Sequence, residues 1–123
     1  MNRLISSLAA LSLALGAATA FASDPPVRTG GEVLTGIDGM TLYTFDNDPL
    51  GKSSCNGPCV SVWHPLAADA TAVSKGEFDV IVRDDDSKQW AYKGKPLYFW
   101  APEKRAGEKG GDGYRNLWHA AKP

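Results

Sequence analysis

Apolar and polar positions alternate with a period of two in several stretches of this chain. In "LYTFD", Leu42, Thr44 and Asp46 alternate with Tyr43 and Phe45, the pattern of a strand whose two faces differ. In "EFDVIVR", Phe78, Val80 and Val82 alternate with Asp79, Ile81 and Arg83, which predicts a second strand. "KQWAYKGKPLYFW" reads as a β-hairpin with Lys93 and Gly94 at the turn. Its arm "PLYFW" is aromatic on both faces and is predicted to be the more central strand, with Pro96 tolerated at its start. Gly, Asp, Pro and Lys fill the intervals, as turns require. A short helical turn from Pro58 to Trp63 is the one helical expectation, because proline suits a first helical position. The pattern predicts a mainly β domain.

One stretch recurs. "GMTLYTFDND" from Gly39 and "GKPLYFWAPE" from Gly94 align Leu42 with Leu97, Tyr43 with Tyr98, Phe45 with Trp100 and Asp48 with Glu103, each pair 55 residues apart. The same offset carries Trp63 onto Trp118 and His64 onto His119. Agreement at both ends without a gap points to a duplicated supersecondary unit, an aromatic strand, a long loop and a returning Trp-His segment. The domain is therefore read as two tandem β repeats, about 39–66 and 94–121, related by a pseudo-twofold axis. Packing residues recur while most polar ones do not: Asp46 falls on Ala101 and Asn47 on Pro102. On this reading Trp63 and Trp118 are core residues, and Asp48→Asn is expected to cost little.

The first residues, "MNRLISSLAALSLALGAATAFA", carry one basic residue, an apolar run and a small-residue end, which is the pattern of a secretory signal peptide. Cleavage after Ala22 leaves residues 23–123, a single-domain length. No second apolar run approaches the roughly 20 residues that cross a bilayer, so a periplasmic or secreted location is expected. The formal net charge of −1 and the scattered basic residues exclude a nucleic-acid footprint.

These segments resemble the bacterial secreted-repeat family of envelope proteins and lipoproteins, marked by a Y-x-[FWY]-x-x-D motif. "YTFDND", Tyr43 to Asp48, fits that motif, and "YFWAPE", Tyr98 to Glu103, fits it with Glu in the last place. "CNGPCVSVWHPL", "RDDDSKQWAYKGKPLYFW" and "GDGYRNLWHAAKP" are also similar to family segments, so the resemblance spans nearly all of residues 23–123. The chain departs from the pattern in having no lipid-attachment cysteine and in placing His64 where the family has the first proline of W-P-P-L. The resemblance implies location and repeat structure and assigns no activity.

Candidate chemistry is sparse. Cys55 and Cys59 are the only cysteines, and in an exported chain they are expected to form a disulfide that clamps a tight turn. The rival reading makes them soft ligands or redox thiols. His64 and His119, at equivalent repeat positions, would meet near the pseudo-twofold axis if the halves pack symmetrically, and with the thiols they define an alternative copper- or zinc-binding protein. Asp46, Asn47 and Asp48 lack the further ligands of a calcium loop and are read as turn caps. No G-x-S-x-G or H-E-x-x-H stretch occurs, so no enzyme is expected. The aromatics left outside the core, with Trp90, Tyr92 and Tyr114 as candidates, would make a binding surface for a protein or glycan of the envelope.

Overall fold

A computed structural model describes residues 24–123. The signal peptide read from residues 1–22 lies outside the described residues. The elements in chain order are β1 (Val27–Gly30), β2 (Val33–Gly36), β3 (Leu42–Phe45), α1 (Pro58–Val62), β4 (Trp63–Pro65), β5 (Ala67–Ala68), β6 (Phe78–Val82), β7 (Lys88–Tyr92), β8 (Lys95–Pro96), β9 (Tyr98–Trp100) and β10 (Trp118–Ala120). A 3-10 turn over Tyr114–Asn116 precedes β10. The chain is mainly β, and the helical turn lies where Pro58 predicts it. Lys93 and Gly94 have positive φ, 50° and 81°, and form the two-residue turn of the β7–β8 hairpin.

The centre of the molecule is an antiparallel sheet in the order β10-β3-β9-β4. Trp118 pairs with Phe45, His119 with Thr44 and Ala120 with Tyr43. Trp63 pairs with Trp100, His64 with Phe99 and Pro65 with Tyr98. These registers are the same register seen twice, and the symmetry axis passes between Tyr43 and Tyr98, which pair with each other. Neither aromatic strand pairs with the returning strand of its own repeat: β3 takes β10, and β9 takes β4. The flanking bonds obey the same exchange. Ala121 N–H donates to Leu42 C=O and Leu66 N–H to Leu97 C=O, both at 2.8–2.9 Å. The two repeats are interlaced, so the returning Trp-His segment packs back on the other copy. Both aromatic strands are central, which corrects the expectation that "PLYFW" alone is more central.

Period two gives this sheet two different faces, and each covers its own core. One face carries Tyr43, Trp63, Tyr98, Trp118 and Ala120, with Cys55 and Val33 packed on them from outside the sheet. The other carries Leu42, Leu66, Leu97 and Ala121, closed by Leu34 and Trp90. Trp90 arrives on the second sheet, ordered β5-β7-β6 with β8 on β7. Leu42, Tyr43, Leu97 and Tyr98 are all fully buried, so equivalent residues occupy equivalent environments. At the axis Trp63 and Trp118 stack face to face, centroids 3.9 Å apart and planes within 2°.

The edges of the central sheet are both blunted. Along β10 the outward Trp118 C=O accepts from Gly113 N–H at 2.8 Å, and the outward Ala120 N–H donates to Asp112 Oδ1 at 2.9 Å. Along β4 the equivalent outward donor is absent because Pro65 has no N–H. Such devices prevent a further strand from adding to the sheet. Among the described residues, no helix is long and apolar enough to cross a membrane.

Candidate functional site

The repeated Tyr and acid of the Y-x-[FWY]-x-x-D motif meet across the two copies. Tyr98 O–H donates to Asp48 Oδ2 at 2.6 Å, and Tyr43 O–H donates to Glu103 Oε1. Each acid enters its corner through the same turn: Asp48 N–H donates to Phe45 C=O at 3.0 Å and Glu103 N–H to Trp100 C=O at 3.1 Å. Burial raises both phenols above their ordinary 10.0, and the facing carboxylates raise them further. The phenols are therefore fixed as donors at neutral pH, and the motif is a clasp between repeats. Its residues Tyr43, Phe45, Asp48, Tyr98, Trp100 and Glu103 are all engaged in the fold.

The Asp48 corner continues into a buried polar chain. Ser54 donates to Asp48 Oδ1 from both its N–H and its hydroxyl, each at 2.8 Å. Tyr98 shares a 2.6 Å bond with Ser53 Oγ, and Ser53 Oγ accepts from Arg83 at 2.9 Å. The Arg83 guanidinium, 5% exposed, also donates to Gln89 Oε1 at 2.7 Å, to Cys55 C=O and to Asn56 Oδ1 at 3.2 Å. A buried guanidinium needs its donors filled, and here neutral oxygens fill the four of Nη1 and Nη2. Sequence reading took Arg83 for a polar position of a strand; an arginine at the strand end, ahead of three aspartates, was the one available signal. Cys55 and Cys59 are bonded to each other, as expected, and Arg83 holds the loop they close.

A groove of about 290 Å³ opens on the axis itself. Cys59 and Tyr114, Val62 and Leu117, and Trp63 and Trp118 line it as equivalent pairs, and Phe45 and Arg115 complete it. Val62 is 41% and Tyr114 36% exposed, which places two of the large exposed apolar residues on its rim. Arg115 and Asn116 both hold left-handed φ, 51° and 55°. That conformation is costly for residues with a Cβ; it is held by Gly113 N–H on Trp118 C=O and Leu117 N–H on Tyr114 C=O. The guanidinium of Arg115 lies over the Tyr114 ring, 5.4 Å from its centroid.

Of the remaining predicted site residues, Tyr114 reaches the groove and two do not. Trp90 is 3% exposed between the sheets and belongs to no surface, because the second sheet needs a large ring to close the Leu42/Leu97 core. Tyr92 is half-buried and donates to Glu77 Oε2 at 3.1 Å. His64 and His119 do not meet at the axis. They stand on β4 and β10, the opposite edge strands, roughly three strand spacings or about 14 Å apart. Symmetry makes them equidistant from the axis and does not bring them to it. His119 Nε2 pairs with Asp46 Oδ2 at 2.8 Å, and His64 Nε2 lies 3.3 Å from Ser61 C=O. With the cysteines joined on the other face, these four residues form no single ligand set, and among the described residues no group of three or more His, Cys, Asp or Glu is gathered.

A family model described as a secreted repeat of unknown function matches the chain twice, over residues 27–67 and 79–122. Each match includes the hairpin that precedes its aromatic strand. No curated protein and no solved structure matches the chain.

Proposed function

Because the chain belongs to this family of secreted repeats, we propose that it is an exported, non-catalytic binding module of the cell envelope, periplasmic in location, that takes one ring of an envelope glycan into the groove on its repeat axis. The observation that carries this reading is the groove's construction from equivalent residues of both copies. Binding sites favour such junctions, because two units supply walls that neither has alone. Its volume lies at the lower end of the roughly 300–1,000 Å³ of small-ligand pockets, and suits an inserted ring better than a protein interface of about 800 Å² per partner. The faces of Trp63 and Trp118 are spent on each other. The groove therefore offers ring edges, the Tyr114 ring, Val62 and the Arg115 donors, which provide apolar contact and hydrogen bonds at one place.

Titration with soluble fragments of cell-wall polysaccharide, followed by tryptophan emission, tests this directly. The expected result is a saturable change that is lost in Tyr114→Ala and weakened in Arg115→Ala, both exposed positions. Emission that stays unchanged at millimolar glycan, with a protein recovered from envelope extract that competes for Tyr114, would replace the glycan with a protein partner.

A further inference from the structure

A second cavity, about 390 Å³, lies on the opposite face of the central sheet, where the tip of the β7–β8 hairpin stands over the end of β3 and the end of β10. Thr44, His119 and Ala121 of that face form its floor, and the Tyr92 ring forms a wall. Three lysines surround it: Lys93 from the turn, Lys95 from β8 and Lys122 from beyond β10. They come from two segments about 30 residues apart in the chain and converge only through the fold. None of the three has an ion-pair partner among the described residues, whereas Lys52 and Lys75 pair with Asp84 and Asp24. One carboxylate, Asp46, lines the cavity with the lysines, and a second, Glu77, stands at the Tyr92 hydroxyl. Asp46 is engaged by His119. A cavity ringed by three unpaired ammonium groups, on a chain whose formal net charge is −1, is a local reversal of sign.

We infer that this basin binds a phosphate group. Lysines act on phosphate as point charges with rotatable donors. Three of them, set against the one Asp46 carboxylate in the lining, match the two charges of the dianion, and the Thr44 hydroxyl and the His119 ring supply polar contacts at the floor. The site is independent of the glycan groove, which is lined from the other face of the sheet.

The chain has two histidines, so their ring resonances form a built-in comparison. The test titrates inorganic phosphate into the protein at fixed pH and ionic strength, with chloride as control, and reads both rings by NMR. The expected result is a saturable shift at His119 with His64 unmoved, and an apparent affinity lowered about tenfold in Lys95→Gln/Lys122→Gln. Those lysines are exposed, and an unchanged urea midpoint confirms that the variant is folded. Vesicles of phosphatidylglycerol form a second arm. Saturation by free phosphate assigns a soluble phosphate ligand, and saturation by vesicles alone assigns a lipid headgroup. Shifts that are linear, equal at the two rings or reproduced by chloride would overturn the proposal, as would a double variant that binds as the natural chain does.

Discussion

The two corners where the repeats clasp are built from the same motif and end in different electrostatic states. At the Asp48 corner three donors, Tyr98 O–H and the N–H and O–H of Ser54, fill both carboxylate oxygens. At the Glu103 corner only Tyr43 donates, and Oε2 has no partner among the described residues. Burial pushes the Glu103 carboxyl above its ordinary 4.5, against the lowering effect of the Tyr43 hydroxyl. The cause lies outside the motif. Ser54 gives Asp48 two of its three donors, and the position equivalent to Ser54 in the other repeat is Lys109, which makes no bond to Glu103 among the described residues. Symmetry of backbone thus fixes where the acid stands, and neighbours from the loop that follows each aromatic strand decide what it costs to be charged there.

The largest change should come from the element both corners share. Trp63→Ala and Trp118→Ala each remove one ring of the axial stack and should each cost about 3–5 kcal/mol, read as urea midpoints. A large loss in one with the midpoint unmoved in the other would break the equivalence of the halves. Next is the covalent clamp beside the Asp48 corner alone. Reduction of Cys55–Cys59, a five-residue loop, should cost about 2 kcal/mol by chain entropy, and mass spectrometry with alkylation before and after reduction verifies the bond. Asp48→Asn should cost about 1–2 kcal/mol, since an amide cannot accept from all three donors; this is more than the small effect expected from sequence.

Glu103→Gln is the smallest change and the most informative. A carboxyl whose folded pKa is raised contributes stability that is fully present below the unfolded value, near 4.5, and lost as pH rises through the folded value. The natural chain should therefore lose stability with rising pH above about 4.5 relative to Glu103→Gln, and the variant should be equal or more stable at neutral pH. Paired denaturation curves from pH 4 to pH 8 measure it. A growing advantage of the natural chain toward neutral pH would mean that the Glu103 charge is well compensated and that the two corners are alike.

Much of this architecture was legible because packing positions recur. Leu42, Tyr43 and Trp63 and their counterparts at the 55-residue offset identify equivalent core places, and buried rings tolerate little change of size. The offset cannot say which copy pairs with which, because β3 with β4 and β3 with β10 give the same sequence periodicity. That is why the exchange, and the edge positions of His64 and His119, emerged only with the fold. The β1–β2 hairpin escaped for a different reason. Its loop is two residues, Gly31 and Glu32, against the five of Arg83–Ser87 between β6 and β7, so the offset fails upstream of the turn. The groove was half legible: Tyr114 was singled out for its chemistry, whereas Arg115 and Val62 carried no signal apart from the fold that sets them beside it.

The exchange of strands has a consequence for how the chain acquires its structure. Pairing β3 with β10 closes a loop of more than 70 residues, and no contact within one repeat replaces it. Such non-local topology slows folding, because chain entropy is surrendered before the pairing repays it. A chain emerging from its N-terminus holds β3 without a neighbour on one side and Trp63 without the ring it stacks on until residues 117–121 arrive. The repeats therefore have no order of folding between them, and the molecule passes from open to closed as one cooperative unit.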